Sequence, residues 1–437
     1  MERQAVSPIT APPASIGHNR PTKPVTIDPK SFPDQSQRGD GIPCTIDNVR
    51  HMLDANSVTV RYDVMKKRTE IDVPWVTGTT ENADSVAMTH IQSMASRYAM
   101  PTGMVPAVVH AIAEANSYNP IADWIGSKAW DGKDRLPEIC NTITPREGYP
   151  SWLRDILITK WLLSAVAAVL MGHGFRCRGV LTLQGPQSMG KTSWGLRLIN
   201  DAKLRERYIK VDHHLDAGSK DSLLGAVDHF ICEIGELEST LKRDLAKLKG
   251  FLTSGFDKVR KPYAYAPSEY QRRTVFYATV NDAEFLIDRT GNARWWTIPC
   301  AHIEHQHDID MQQVFAQLAV ELEAGAEWWL TPEEEALLEQ HNSRHRAVSV
   351  VREKVLEFLE SDHLGGKVFT ASEVLQHAGI ERPTNPQAKE CGAILRELYG
   401  ESRRIKGRDK WRIPKPEIEE LAETRDEDDD EFWDSQP

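Results

Sequence analysis

The 437-residue chain has little that would place it in a membrane or outside the cell. Its longest largely apolar run, Trp161 to Met171, is too short to span a bilayer, which favours a buried helix. The N-terminal stretch lacks the apolar segment of a secretory signal. The six cysteines show neither a CxxC pair nor a matching histidine spacing, which argues against a zinc site or a disulfide framework. We therefore expect a cytoplasmic protein with reduced thiols and no membrane partner.

The chain also lacks a surplus of positive charge, because 53 Lys and Arg residues stand against 64 Asp and Glu residues and the formal net charge is −11. Most of this deficit lies in the tail, where from Glu417 onward eleven acidic residues accompany one base, Arg425. The rest of the chain is nearly neutral and its bases are clustered, so a nucleic-acid partner is not excluded. The tail is expected to be a solubilising or interaction segment, and mimicry of DNA is a weaker alternative.

Composition and hydrophobic periodicity divide the chain into five segments. They are a disordered N-terminus rich in Pro, Ser, Thr and Gln (1–40), a mixed accessory region (41–145), an α/β domain (146–330), a winged-helix-like unit (345–414) and an acidic disordered tail (415–437). In the accessory region we expect a strand at 57–62 and helices at 84–97 and 104–116. From 179 onward short apolar strands alternate with helices, which is typical of a parallel α/β sheet.

The clearest motif is GPQSMGKT at 185–192, which fits the phosphate-binding pattern G-x-x-x-x-G-K-[ST]. Glycines permit the torsions that turn backbone N–H groups towards the β-phosphate. Lys191 is expected to reach the β- and γ-phosphates, and Thr192 to bind Mg²⁺. An apolar strand before the motif and a helix after it are the expected flanks, so an incidental turn is the weaker interpretation. The predicted nucleotide-binding residues are Gly185, Pro186, Gln187, Ser188, Met189, Gly190, Lys191 and Thr192.

Two acidic residues, Glu233 and Glu236, follow a second apolar strand predicted at 229–232, which we expect to neighbour the strand before the motif. A buried acid at a strand end is costly unless a cation compensates it, so we assign Glu233 to Mg²⁺ and Glu236 to activation of the attacking water. A solvated acidic turn is the alternative. A third apolar strand, predicted at 274–281, ends in Asn281, which could position that water; a plain turn residue is the alternative. These motifs predict an ATPase with ATP and Mg²⁺ as its cofactors.

Five motifs together resemble the virulence-associated E family of bacteriophages, prophages and pathogenicity islands. They are, in order, GPQSMGKTSW, ICEIGELE, KLKGFLTSGFDKVRKPYAY, FYATVND and FLIDRTGNARWWTI. WDGKDRL at 130–136 resembles a further stretch, and the resemblance covers roughly residues 120–300. That family is similar to superfamily-3 helicases. The resemblance therefore implies an AAA+-related P-loop core, a homo-oligomer in the form of a hexameric ring, and a role in phage or mobile-element DNA replication.

The same resemblance implies roles for further residues. Asn281 would match the sensor of the third helicase motif, and Arg294 the arginine that reaches a neighbouring subunit's γ-phosphate. Ala293 stands where many relatives have a second arginine, and Arg289 where a neutral residue is more usual, so the finger is Arg294 or Arg289. The two adjacent acids common in superfamily-3 motors are separated here by two residues, which leaves the identity of the catalytic base open.

The interval 241–273 carries nine basic residues against three acidic ones. Lys258, Arg260 and Lys261 stand near Tyr263 and Tyr265, and cations beside stacking surfaces suit single-stranded DNA. The resemblance agrees, because this interval carries the channel loop of superfamily-3 motors. A solvated helix face with structural ion pairs is the alternative.

The unit at 345–414 ends in SRRIKGRDKWRIP, where basic and apolar residues alternate around Gly407 as they do in a β-wing. Arg403, Arg404 and Lys406 are therefore predicted to contact DNA phosphates. A protein–protein module is the alternative.

We expect a motor that hydrolyses the β–γ bond of ATP and moves on single-stranded DNA, and so acts as a DNA helicase. One alternative is an ATPase switch that loads or remodels replication proteins without unwinding. Another is a DNA-binding regulator whose assembly ATP controls. No primase motif is evident, so priming would need a separate primase.

Overall fold

The computed structural model of the chain describes residues 21–36, 41–76, 82–235, 237, 245–259, 268–282, 285–286, 292–345, 350–359, 367–405 and 407–413. They form two compact units that divide between Arg346 and Ala347. Several residues named in the sequence predictions lie outside the described ranges, as does the acidic tail from residue 414; these residues are Glu236, Arg260, Lys261, Tyr263, Tyr265, Arg289 and Lys406.

The first unit begins with a small mixed region that has its own hydrophobic core. Its elements are α1 (Ile46–Ala55), β1 (Thr59–Asp63), β2 (Arg68–Asp72), α2 (Ala83–Ser96), α3 (Val105–Ala115) and β3 (Ser117–Tyr118). The strands form a sheet in the order β2-β1-β3, and the strand and both helices expected here are present. Ile27 and Phe32 are buried in this core. Part of the segment that composition predicts to be disordered is therefore packed, because two apolar side chains in it reach the core.

Two short helices, the first strand of the main sheet and a long helix follow this region in the chain. The elements are α4 (Pro120–Ile125), α5 (Leu136–Asn141), β4 (Ile143–Pro145) and α6 (Ser151–Leu170). Thirteen of the twenty residues of α6 are buried, so the apolar run is a core helix, as expected. None of the helices in the described ranges is long and apolar enough to cross a membrane.

A six-stranded sheet forms the centre of the first unit, in the order β4-β11-β5-β10-β7-β6. The remaining elements of this unit are β5 (Val180–Gln184), α7 (Lys191–Arg197), α8 (Ala202–Tyr208), β6 (Ile209–His213), α9 (Lys220–Val227), β7 (Ile231–Ile234), α10 (Leu245–Leu252), β8 (Phe256–Val259), β9 (Ser268–Gln271), β10 (Val275–Val280), β11 (Trp295–Ile303), α11 (Met311–Glu323) and α12 (Pro332–Asn342). Five strands are parallel and only β4 is antiparallel. The predicted α/β class is therefore confirmed at the level of a mixed α/β fold.

The parallel arrangement determines where the polar strand ends meet. Strands β5 and β7 are buried along their whole length, which matches their nearly continuous apolar sequence. Because the strands run in one direction, their carboxyl ends lie at one edge of the sheet, where open α/β sheets bind their ligands. The segments that follow β5, β7 and β10 are therefore brought together.

The second unit is small and has a separate core that includes Val355, Leu375, Ile394 and Trp411. Its elements are α13 (Val350–Leu359), β12 (Val368–Phe369), α14 (Ala371–His377), α15 (Asn385–Tyr399), β13 (Arg403–Ile405) and β14 (Arg408–Arg412). Three helices are present together with the closing hairpin, and Gly407 between the hairpin strands has a φ of +78°. Its classification as a winged helix stays a prediction.

Candidate functional site

The loop of the GPQSMGKT motif connects the end of β5 to the start of α7. The amide of Gly185 donates to the carbonyl of Val280 at 3.0 Å, which ties the start of the loop to the end of β10. Gly190 has a φ of +91°, and a Cβ added there would lie 2.4 Å from Nδ1 of His305. Glycine is therefore required at position 190 both for its backbone conformation and for the close approach of a ring.

Lys191 points back into the loop that precedes it. Its ammonium group donates to the carbonyls of Gly185 at 2.6 Å and Pro186 at 2.8 Å, and to Oδ1 of Asn281 at 3.0 Å. The residue is 6% exposed. The structure thus brings together two of the predicted site residues, Lys191 and Asn281, because β10 lies beside β5 in the sheet.

Glu233 lies at the centre of a second set of contacts. Its Oε1 accepts from the hydroxyls of Thr192 at 2.6 Å and Thr279 at 3.0 Å, and its Oε2 accepts from the amide of Asp212 at 3.0 Å. The residue is 1% exposed, and among the described residues no ion pair includes it. Because these donors are neutral, a cation placed beside the buried carboxylate would stabilise it further.

The position of Glu233 differs from the sequence expectation in two ways. The strand predicted at 229–232 is Ile231–Ile234, so Glu233 lies inside it and not after it. Strand β10 also separates β7 from β5, so the acid strand is not the immediate neighbour of the strand before the loop. Contact with Thr192 is still made, because Thr192 lies in the first turn of α7.

Sequence reasoning missed Thr279 and Tyr277 on β10. Both share the face of Asn281, because alternate residues of a strand point to the same side. Tyr277 is fully buried, and its hydroxyl lies 2.3 Å from where a Cβ on Gly195 would be. Burial, and then the charge of Glu233, raise the pKa of Tyr277 well above its ordinary value. The period-2 spacing of Tyr277, Thr279 and Asn281 is the signal that could have identified them.

Among the described residues, no group of three or more His, Cys, Asp or Glu side chains is arranged to hold a metal ion. The oxygens of Thr192 and Glu233 are therefore too few to form a complete protein site. They suit a cation such as Mg²⁺, which usually takes one or two protein ligands together with phosphate oxygens and water.

Arg294 does not lie at this site within its own chain. It ends a short 3₁₀ helix, Asn292–Arg294, directly before β11. Strand β11 is parallel to β5 with Trp295 opposite Val180, so Arg294 lies at the sheet edge opposite the loop. The side-chain amide of Asn342 donates to the carbonyls of Asn292 at 3.0 Å and Trp295 at 2.8 Å and fixes this turn.

The basic interval contains a hairpin of β8 and β9 whose base is held by a buried ion pair. Arg272 is fully buried, and its Nε donates to the carboxylate oxygens of Asp257 at 2.8 and 3.0 Å. Its guanidinium also lies 4.5 Å from the ring centre of Phe251. Arg272 is therefore a structural cation, and one of the nine bases counted towards DNA binding is removed from that role. Lys258 lies in β8, and its side chain is outside the described part.

In the second unit, Arg403 and Arg404 are exposed on β13, an edge strand of the sheet. Beside this hairpin is a groove of about 770 Å³ whose lining includes Lys389, Arg396 and Arg408. Exposed cations thus lie on both β13 and α15 of this unit.

The WDGKDRL stretch at 130–136 has a structural function. The amides of Asp131 and Arg135 donate to the side chains of Gln313 at 2.9 Å and Gln317 at 3.0 Å on α11. Hydrogen bonds from the guanidinium of Arg135 hold the pKa of Asp131 below its usual range. The stretch therefore attaches the segment before α5 to α11 through these hydrogen bonds.

Similar solved structures include several of the C-terminal region of NrS-1. The apo structure of its residues 305–718 has 13% identity and a TM-score of 0.38, covering 84% of this chain and 98% of that one. The A form has 14% identity, the same TM-score and the same coverage. An A-form structure of residues 305–718 has 12% identity and a TM-score of 0.36, again with the same coverage.

Among curated proteins, no sequence matches this chain. The family model for the virulence-associated protein E-like domain matches residues 125–347, which include the whole central sheet and the loop. This confirms the resemblance found in the motifs, and the chain belongs to the virulence-associated protein E-like family.

Proposed function

We propose that this protein is a P-loop ATPase that hydrolyses ATP with Mg²⁺ and uses the energy to move on single-stranded DNA during phage or mobile-element replication. The observation that carries the proposal is the contact of Thr192 with Glu233 at 2.6 Å beside the contact of Lys191 with Asn281 at 3.0 Å. Phosphoryl transfer from ATP requires a lysine, a hydroxyl, an acid and an amide close together. All four groups lie here at one edge of the sheet.

Lys191 would bind the β- and γ-phosphates. Its ammonium group now donates to two neutral loop carbonyls, those of Gly185 and Pro186. Hydrogen bonds from a cation to charged phosphate oxygens are stronger than those to neutral carbonyls, so a phosphate chain in the loop would compete well for this group. Asn281 would stay within reach of the γ-phosphate and orient the attacking water.

Thr192 and Glu233 would hold Mg²⁺, as their oxygen chemistry permits. When bound, the ion supplies positive charge that offsets the charge developing on the phosphate oxygens. Thr279 and the amide of Asp212 fix both oxygens of Glu233, so the carboxylate is oriented before the nucleotide arrives. Glu236 is proposed as the base that activates water.

Assembly into a hexameric ring would supply the arginine finger, either Arg294 or Arg289, from a neighbouring subunit. The distance of Arg294 from its own loop, across the length of β5, supports action in trans. A cation provided by a neighbour stabilises the transition state, so hydrolysis would depend on assembly.

Single-stranded DNA would be bound by Lys258, Arg260 and Lys261, which lie in β8 or follow it in sequence, with Arg403, Arg404 and Lys406 as further contacts. The buried Arg272–Asp257 pair supports this role for the hairpin, because it gives the strands a rigid base. A separate primase would act as a partner in the cytoplasm of the bacterial host.

The test is steady-state ATP hydrolysis with and without single-stranded DNA, combined with size measurement with and without ATP. We expect Mg²⁺-dependent turnover, stimulation by DNA and a larger assembly in ATP. Absence of turnover under all conditions would remove the ATPase proposal. Turnover that DNA leaves unchanged would remove the motor and favour a switch that remodels replication proteins.

A further inference from the structure

A groove of about 410 Å³ lies directly beside the loop, between α7 and the turn after β11. Its lining consists of Ser193, Leu196, Arg197, Arg205, His305 and Gln306. None of these residues belongs to the GPQSMGKT motif, so the groove is a separate feature of the same edge of the molecule.

The groove begins where the loop ends. The ring of His305 lies against Gly190, as the distance of 2.4 Å from a Cβ built there shows. Ser193 follows the last motif residue, and Leu196 and Arg197 lie three and four positions further on, which places them on the same face of α7. A molecule whose phosphates occupy the loop could therefore continue into the groove.

The lining combines groups that suit a base and a ribose. The His305 ring offers a flat surface, Leu196 an apolar contact, and Gln306 an amide, while Arg197 and Arg205 supply charged hydrogen-bond donors. Ligand pockets with this mixture of flat, apolar and a few polar groups are typical of small-molecule sites. Arg205 is held in place by a hydrogen bond to the carbonyl of Ile199 at 3.3 Å.

His307 lies two residues after His305, and the charge of Arg197, which lines the groove, acts on it. It is 8% exposed, and neither of its ring nitrogens has a hydrogen-bond partner among the described residues. Burial, and then the charge of Arg197, lower the pKa of His307, so the ring stays neutral and keeps one donor and one acceptor. Buried polar atoms without partners are rare, and a water or an ion often satisfies them.

We infer that this groove binds the base and ribose of the nucleoside triphosphate whose phosphates occupy the loop. The inference rests on the proposed function and adds the residues that would distinguish a nucleotide from a bare polyphosphate. Arg197 and His305 should contribute most to binding of the nucleoside. Arg197 supplies charged hydrogen-bond donors, and His305 supplies a stacking surface next to Gly190.

The experiment compares two ligands that share the phosphate chain. Binding of ATPγS and of inorganic tripolyphosphate, each with Mg²⁺, is measured calorimetrically on the full chain. The variants are Arg197→Ala and His305→Ala. Arg178→Ala is the matched control, because Arg178 is an exposed arginine before β5, at the sheet edge opposite the loop.

We expect each groove variant to weaken ATPγS binding by about tenfold or more, which corresponds to about 1.4 kcal/mol, while tripolyphosphate binds within about twofold of wild type. The Arg178 variant should bind both ligands as wild type does. If both groove variants bind ATPγS normally, or weaken both ligands equally, the groove is not the nucleoside site. If wild type binds neither ligand, the proposed ATPase function itself fails, and this outcome differs from one in which wild type and both groove variants bind ATPγS equally.

Discussion

Two buried carboxylates in the first unit resemble each other in burial and differ in their partners. Glu233 is 1% exposed and Asp257 is 4% exposed. Asp257 is paired with the guanidinium of Arg272. Glu233 accepts instead from the hydroxyls of Thr192 and Thr279 and from a backbone amide, which are all neutral donors. The charge of Asp257 is therefore offset by a cation, whereas the charge of Glu233 is only hydrogen-bonded.

This difference separates a structural acid from a candidate functional one. Moving a carboxylate out of water costs several kcal/mol, and an oppositely charged partner offsets much of that cost. The pair of Asp257 and Arg272 fixes the base of the β8–β9 hairpin and leaves nothing for a ligand to neutralise. Glu233 is oriented by hydrogen bonds but not neutralised by them, which is the state in which a bound cation stabilises a carboxylate most.

The largest effect is expected from breaking the ion pair of Asp257 and Arg272. Arg272→Ala should lower the free energy of unfolding by about 3–5 kcal/mol, because the buried carboxylate of Asp257 loses its hydrogen-bonded cation. Urea denaturation measures this change. The double variant Asp257→Leu with Arg272→Met should recover most of that stability, since both members of the buried pair are replaced together by apolar side chains. An Arg272→Ala protein of normal stability but weak DNA affinity would contradict the structural role.

The next effect concerns the lysine that faces Asn281. Lys191→Ala should reduce ATP hydrolysis by about 10²–10³-fold, the reduction typical of a deleted charge-stabilising donor. The free energy of unfolding should fall by no more than about 1 kcal/mol, because the described contacts of this side chain are hydrogen bonds to loop carbonyls and one amide. Lys203→Ala, which changes an exposed lysine of α8, is the control. Wild-type turnover in the Lys191 variant would remove the ATPase assignment.

A matched pair of carboxyl-to-amide changes tests the comparison directly. Glu233→Gln should keep its hydrogen bonds from Thr192 and Thr279 and change stability by about 1 kcal/mol or less, whereas Asp257→Asn should destabilise by about 3 kcal/mol. ATP hydrolysis should fall by about 10²-fold in the Glu233 variant, with weaker Mg²⁺-dependent binding of ATP. Equal destabilisation by both changes would show that the two acids have the same structural role.

The local parts of this site are predictable from the sequence. The loop, its flanking strand and helix, and the residues Lys191, Thr192 and Asn281 are identifiable because the motif and the apolar runs are continuous in the chain. The alternation of strands and helices is predicted from residue 179 onward, and strand β5 begins one residue later, at Val180. Local patterns determine such elements, since burial of a parallel strand requires an unbroken apolar run.

Long-range arrangement is not predictable from the same patterns. The position of β10 between β5 and β7 depends on pairing of strands that are more than forty residues apart in sequence. No local sequence pattern predicts this strand order. Counting charges along the sequence places Arg272 among the DNA-binding cations, because its partner is not evident there. That partner, Asp257, lies fifteen residues away and contacts Arg272 only when the hairpin forms. The placement of Arg294 at the opposite sheet edge likewise follows from the register of β11.

The smallest expected effect compares two groups of bases in the interval 258–272. Lys258, Arg260 and Lys261, which lie in β8 or follow it in sequence, should contact single-stranded DNA, while Arg272 at the base should not. Removing one phosphate contact should reduce the salt slope of single-strand binding by about 0.7, so changing all three residues to Ala should flatten it by roughly 2. DNA stimulation should disappear and basal hydrolysis should persist, because none of the three belongs to the loop.

The control for this triple variant lies in the second unit. Arg403→Ala with Arg404→Ala should reduce the salt slope by about 1.4 and leave DNA stimulation in place, because these residues would hold DNA without belonging to the hairpin. If the triple variant instead has reduced thermal stability and keeps the wild-type slope, its three bases are structural like Arg272. The exposed bases of the second unit would then be the remaining candidates for DNA contact. Variants of Lys258, Arg260 and Lys261 would then no longer test whether the protein is a motor or a remodelling ATPase.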